Sequence, residues 1–271
     1  DIVEVTREEL MNFSHCNAPS IKNLIDRKIL YTYDKEVGRL NNGGKPHFEN
    51  IKQFNEFQTK AFDEINSQFD EKKVVLLHGV TSSGKTEIYI HLIKKALEAH
   101  KQVLYLLPEI ALTVQIMERL KRVFGNRLGI YHSKYSDAER VEIWNKQLSD
   151  SPYDVILGAR SAVFLPFTNL GLVIIDEEHE TSYKQQDPAP RYHARSVAIV
   201  LAGLYGAKTL LGTATPSMES YYNAQQGKYG LFDLKKRFAG IELPEIRVVD
   251  MKDLQHRKMM QGPFSPQLLT A

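Results

Sequence analysis

Two clusters of residues in this chain could do phosphate chemistry. The stretch Gly79-Val-Thr-Ser-Ser-Gly84-Lys85-Thr86 fits the spacing G-x-x-x-x-G-K-[ST]. Glycines at such positions let backbone N–H groups come close to phosphate oxygens, and a following helix adds the positive end of its dipole. Lys85 can reach β- and γ-phosphates, and the Thr86 hydroxyl can ligate Mg²⁺. In Leu172-Val-Ile-Ile-Asp176-Glu177-Glu178-His179 an apolar run ends on consecutive acids. Asp176 suits the Mg²⁺ shell, and Glu177 suits the orientation and deprotonation of an attacking water. Standing alone, that stretch would read as a solvated acidic turn. A third set, Gly212-Thr213-Ala214-Thr215-Pro216-Ser217, places small hydroxyl residues where they can bond those acids or sense a γ-phosphate. Taken alone it is a turn with Ser217 as a helix cap. His179 either couples the nucleotide to another element or is polar surface.

These residues need elements to hold them. Apolar cores at Val74–His78, Val103–Leu107, Leu128–His132, Asp154–Leu157, Leu172–Ile175 and Thr209–Leu211 read as short strands. Helices are expected at about Asn55–Phe69 and from near Lys85, Ile110, Ser136, His193 and Ser217. Strands apolar on both faces and alternating with helices predict an α/β fold, a parallel sheet covered on both sides. In an open sheet of this kind ligands bind outside the carboxyl ends of the strands, where both acid-bearing and glycine-bearing turns fall.

Residues 1–40 read as a smaller unit. Thr6 could cap a short helix Arg7–Phe13, Asn17-Ala-Pro-Ser20 is a turn and cap signal, and Ile21, Leu24, Ile25 and Ile29 form a helical stripe. Leu30–Arg39 has strand character. Helix, turn, helix and strand fit the second half of a winged helix or any small helical cap. Asn41-Asn-Gly-Gly-Lys-Pro46 begins a linker, 41–53, and 54–250 form the main domain, with 251–271 leading out of it.

Composition excludes several classes. With 42% hydrophobic and 25% charged residues the chain is neither collagen-like nor disordered. No apolar run approaches the length of a membrane-crossing helix, so no membrane partner is expected. Thirty-five Lys and Arg against 33 Asp and Glu give a formal charge of +2, which leaves no whole-chain nucleic-acid footprint but allows a local basic track. Cys16, the single cysteine, cannot build an internal disulfide or a cysteine-based zinc site. A start without Met and an end in mid-pattern suggest a fragment.

In this order, the three motifs resemble the first lobe of a superfamily 2 helicase. A closer resemblance is to the primosomal replication-restart helicases. It is carried by Gly79–Tyr89, Leu107-Pro-Glu-Ile-Ala-Leu-Thr113, Tyr131-His-Ser133, Gly158–Phe167, Asp176–His179, Tyr183-Lys-Gln-Gln186 with Arg191-Tyr-His-Ala-Arg195, and Gly212–Ser217, and spans about residues 54 to 250. Two positions depart from the common pattern: Ser82, where the family usually has Gly, and Ala159, where Thr is common. The resemblance implies a RecA-like nucleotide-binding lobe preceded by a winged-helix-like segment. Its nucleotide contacts would be Gly79, Thr81, Ser82, Ser83, Gly84, Lys85, Thr86, Glu87 and Gln58. Gln58 would read the adenine edge, and its plainer reading is an exposed helix residue.

The resemblance also implies two single-strand DNA contacts at strand ends, Pro108, Glu109 and Thr113 in one and Gly158, Arg160 and Ser161 in the other. Arg160 as a buried structural cation is the competing reading. Residues 180–195 resemble the family's aromatic-rich loop, with Tyr183, Lys184, Arg191, Tyr192, His193 and Arg195 sensing the strand by stacking and charge. A surface loop without such a role is the alternative. His179, Thr213 and Thr215 would couple DNA to hydrolysis, and Lys22 and Arg27 would touch phosphates from the N-terminal helix.

The activity so implied is an ATP- and Mg²⁺-dependent 3′→5′ DNA helicase that recognises stalled or repaired forks and restarts replication by primosome assembly, in the bacterial cytoplasm. Its partners would be forked and single-stranded DNA, single-stranded DNA-binding protein and primosome proteins. A second motor lobe and a zinc module would belong to the full-length protein. The alternatives are a non-motor, nucleotide-gated DNA-binding module and another superfamily 2 translocase.

Overall fold

The computed structural model describes residues 10, 18–32, 44–80, 83–109, 111, 114–132, 135–234 and 248–270. The chain divides into two compact units, Asp1–Asn41 and Asn42–Ala271.

In the first unit, helix α1 (Ala18–Asp26) buries Ile21. It begins two residues before the expected Ser20 and ends in a Schellman pattern, with Ile29 N–H donating to Leu24 O (3.0 Å) and Lys28 N–H to Ile25 O (2.9 Å). Lys28 takes the left-handed position, φ 57°. This turn carries Ile29 out of the apolar stripe, and it is 63% exposed. Lys22 and Arg27 are exposed. Most of the expected Arg7–Phe13 helix and Leu30–Arg39 strand lies outside the described residues, and residues 30–32 are not strand.

The second unit is built on a seven-stranded sheet of order β3-β4-β2-β5-β6-β1-β7. Its strands are β1 (Val74–Gly79), β2 (Gln102–Leu106), β3 (Leu128–Tyr131), β4 (Val155–Gly158), β5 (Leu170–Asp176), β6 (Lys208–Thr213) and β7 (Gly230–Leu234). Every pairing is parallel. All residues of β2 and β4 and the first four of β1 are buried, as strands covered on both faces require. Strand β7 was not legible in advance. It is a short edge strand whose Asp233 interrupts the apolar pattern.

The helices follow the capping chemistry of the sequence. Helix α2 (Glu56–Glu71) starts from a capping box between Asn55 and Gln58, and α3 (Lys85–Glu98) opens directly from the glycine loop. Helix α4 is Val114–Phe124, and α5 (Asp137–Leu148) starts from a second capping box, Ser136 with Glu139. Helix α6 (Ala194–Tyr205) stops at Gly206 in the left-handed region, and α7 (Met218–Gln225) is capped by Ser217. Two short helices, α8 (Met251–His256) and α9 (Pro266–Leu269), follow. Among the described residues no helix is long and apolar enough to cross a membrane.

Residues 44–53, read as linker, are docked instead. Phe48 and Ile51 pack against the core, Phe48 meets Phe124 edge-on at 6.2 Å, and His47 N–H donates to Val123 O at 2.9 Å. Register then positions the chemistry. Asp176 at the end of β5 lies level with Gly212 on β6, which lies level with Leu77 on β1, just before the glycine loop. Acids and loop thus share one sheet edge, one strand apart.

Candidate nucleotide site and its coupling network

Strand β1 runs into Gly79, and the chain turns through a Ser83 N–H bond to Val80 O (3.1 Å). Gly84 then starts α3 at φ 85°. A side chain there would be strained, and its Cβ would fall 2.4 Å from Gln58 Nε2. Lys85 is 9% exposed; its Nζ donates to Gly79 O at 2.8 Å and sits 4.0 Å from Glu177 Oε1. Thr86, Ser83, Gly84, Lys85, Glu87, Asp176 and Glu177 line one cavity of about 410 Å³. The Ser83 hydroxyl is buried there without a hydrogen-bond partner, the kind of orphan donor that a phosphate oxygen satisfies. Thr81 and Ser82 lie outside the described residues.

Asp176 faces this cavity. Burial pushes its carboxyl up to about 6, and the neighbouring Glu177 charge adds to the effect, while a Tyr89 hydrogen bond, the Lys85 charge and the Glu177 N–H oppose it. Glu177 adopts φ 46°, a left-handed backbone that is uncommon for a side-chain-bearing residue. A half-buried carboxylate next to a second acid, in a cavity that Thr86 also lines, fits Mg²⁺, which takes one or two carboxylates plus substrate phosphates and waters. Among the described residues no group of three or more His, Cys, Asp and Glu forms a cage for a metal.

The third motif meets the second as expected from the sequence. His179 Nδ1 lies 2.7 Å from Thr213 Oγ1, and its Nε2 lies 3.2 Å from Thr215 Oγ1. Thr215 N–H donates to Thr213 Oγ1 at 3.0 Å, and His179 Nδ1 is 3.6 Å from Glu177 Oε2. Hydrogen bonds therefore join His179 to Thr213 and Thr215 at the end of β6, and Glu177 lies next to this cluster without a hydrogen bond to His179.

Several sites fall elsewhere than the sequence indicates. Gln58 is 1% exposed rather than a surface residue, and both ends of its carboxamide are engaged, accepting from Asn55 N–H at 3.1 Å and donating to Gly84 O at 3.4 Å. It braces the phosphate loop and also lines the cavity shared with Lys85, Thr86, Asp176 and Glu177. Tyr183 is not a stacking platform. It is 1% exposed, and its hydroxyl donates to Asp176 O (2.6 Å) and Leu106 O (3.2 Å). Arg195 is not an open cation either. It bonds Glu178 Oε2 at 2.6 Å, and that carboxylate, fully buried, also accepts from Ser217 N–H, Ser217 Oγ and Ser220 Oγ. Apolar burial alone would expel such a charge, so the pair and its hydroxyls compensate each other.

Lys184 and Arg191 are exposed on a closed hairpin. Lys184 bridges His193 across it, Gln185 N–H donates to Tyr192 O at 2.8 Å, and Gln185 Nε2 donates to Pro188 O. Tyr192 is half-buried, with Phe164 edge-on at 4.9 Å. Burial and the charges of Arg195 and Lys184 lower the pKa of His193. Arg160 is half-buried and donates to Ser182 O at 3.4 Å, which ties it to this region. Pro108 is buried, Glu109 exposed and Ser161 half-buried; Thr113 lies outside the described residues.

Three residues of the cavity escaped sequence reasoning. Arg119 on α4 pairs with Glu87, and both line the cavity together with Lys52 and Gln53. None has a local motif. Arg119 lies far along the chain from Glu87, and only the packing of α4 brings them together.

A parallel sheet whose first strand opens into a glycine loop and lysine-led helix, and whose fifth ends on a half-buried acid, defines a P-loop nucleotide-binding lobe. Residues 55–224 match the family described as DEAD/DEAH box helicase, and the chain belongs to that family. Residues 1–37 match the family described as winged helix domain, PriA helicase, Bacteroidota. The chain is 40% identical over 275 residues to the replication restart protein PriA of Bacillus subtilis, covering 98% of this chain and 33% of that protein. It is 38% identical to the protein of that name from Chlamydia trachomatis (97% and 35%) and 44% identical to that from Haemophilus influenzae (83% and 30%). It thus spans about a third of the length of these relatives.

Proposed function

We propose that the chain is the ATP-binding motor lobe of a replication-restart DNA helicase. The observation that carries this is the cavity in which Lys85, Thr86, Asp176 and Glu177 converge, with His179, 3.6 Å from Glu177, hydrogen-bonded to Thr213 and Thr215. A pure nucleotide binder needs no acid in the position of Glu177. Similarity to PriA proteins supports the restart role.

The residues divide the work as follows. Lys85 and the loop amides hold the β- and γ-phosphates; Thr86 and Asp176 hold Mg²⁺, which when bound neutralises charge on the transferred phosphoryl group. Glu177 orients the attacking water and accepts its proton. His179 carries the state of this site to Thr213 and Thr215. Lys184, Arg191, Tyr192 and Arg160 meet single-stranded DNA, and Glu109 and Ser161 flank that track.

In this reading the helicase moves 3′→5′ on forked DNA and works with single-stranded DNA-binding protein and primosome proteins. A second lobe completes hydrolysis with an arginine, and zinc belongs to a module outside these residues. The N-terminal 1–40 act as part of a winged helix. A steady-state ATPase assay of the full-length protein with and without forked DNA tests the reading. Turnover stimulated by the fork is expected; nucleotide binding without turnover in either condition would make it a gated adaptor instead.

A further inference from the structure

We propose that Tyr89 is a positioning residue that fixes the Asp176 carboxylate so that one of its oxygens is held free for the cation; this rests on the reading of the cavity as a Mg·ATP site. Tyr89 follows Lys85 by four residues, one helical turn along the same side of α3. Its ring is fully buried and packs edge-on against Tyr105 at 5.6 Å. Its hydroxyl reaches across the sheet edge to Asp176 Oδ1 at 2.9 Å.

That reach needs a gap, and Gly212 supplies it. A Cβ on Gly212 would lie 1.8 Å from the Tyr89 hydroxyl oxygen and 2.8 Å from its Cζ. Gly212 is not needed for a left-handed turn, since its φ is not in the positive range. Its lack of a side chain is spent on the passage of Tyr89 towards Asp176, its own neighbour in register.

The second donor to Asp176, the Glu177 N–H at 3.1 Å, also lands on Oδ1. Both bonds hold the same oxygen, and among the described residues no hydrogen bond within 3.5 Å reaches Oδ2, although the buried Tyr105 hydroxyl also interacts with this carboxylate. The main chain is pinned as well, because Tyr183 donates to the Asp176 carbonyl at 2.6 Å. Donors behind a metal-binding carboxylate commonly account for about 10–100-fold in metal affinity.

The test is binding of a fluorescent ATP analogue to the full chain, in EDTA and then titrated with MgCl₂. Tyr89→Phe keeps the ring and removes only the donor, and thermal unfolding in EDTA checks that it is folded. Its metal-free nucleotide affinity should equal that of the parent, while the Mg²⁺ needed for half-maximal enhancement rises about tenfold or more. Gly212→Ala, which obstructs the hydroxyl, should shift the Mg²⁺ requirement the same way. An unchanged Mg²⁺ requirement in Tyr89→Phe, or equal loss of binding with and without Mg²⁺, would overturn the assignment. Asp176→Asn separates the two levels. If it shifts the Mg²⁺ requirement and Tyr89→Phe does not, only the role of Tyr89 fails; if neither shifts it, the cavity is not the Mg·ATP site.

Discussion

The carboxyl edge of the sheet carries two regions of opposite character. Around Asp176, Glu178, Tyr183 and Arg195 nearly every polar atom is paired and little is exposed. A few residues further, the hairpin of 184–193 holds itself together mainly through its own backbone and presents Lys184 and Arg191 to solvent. Both regions come from one stretch of sequence. Chemistry at a phosphate needs groups fixed in advance, because reorganisation during reaction is costly. Contact with a flexible strand needs charge on open side chains, because the phosphates set the binding energy. The boundary between these demands falls inside the Tyr183–Arg195 block, and its two ends, Tyr183 and Arg195, belong to the rigid region.

The largest effect should come from breaking the rigid region. Arg195→Ala leaves the fully buried Glu178 carboxylate without its cation, which should cost about 3–5 kcal/mol in urea unfolding. A loss below about 1 kcal/mol would move Arg195 back to the open side of the comparison.

A smaller effect follows from Asp176. Its folded pKa, about 6, lies above the ordinary 3.8, so the native state holds the proton more tightly than the unfolded chain does. The resulting cost is absent below pH 3.8, grows as pH rises between the two values, and is complete above about 6. In metal-free protein Asp176→Asn should therefore stabilise on the order of 2 kcal/mol at pH 7.5, allowing for partial exposure to the cavity, and less at pH 5. Equal effects at both pH values would mean that the carboxyl is not raised.

The smallest effect on stability is expected at the hairpin. Lys184→Ala and Arg191→Ala should each change unfolding by less than about 0.5 kcal/mol. Each should nevertheless reduce the slope of log K for single-stranded DNA against log salt by about 0.7. Unchanged DNA binding in both would remove the strand-sensing role from this region.

The same division explains what could be read from the sequence. The strand cores carrying Val74–His78 and Leu172–Ile175 and the loop Gly79–Thr86 were legible because periodicity and glycine spacing are local properties. The joint role of His179, Thr213 and Thr215 was expected by resemblance alone, and the contact between them comes from strand ends that the parallel sheet brings side by side. Tyr183 and Arg195 were misplaced because the partners that bury them, Leu106 and Glu178, are set by tertiary packing. Arg119 was missed for the same reason. Strand β7 was missed because a polar residue breaks a short edge strand without unpairing its backbone.

The central claim is that the loop Gly79–Thr86, with Asp176 and Glu177, is a working ATPase site. It is tested most directly by steady-state ATP hydrolysis of the full-length Lys85→Ala variant with and without forked DNA. Losing the cation that faces Glu177 and the loop should lower turnover at least about 100-fold and abolish stimulation by DNA. DNA-stimulated turnover at the parent rate in that variant would contradict the claim.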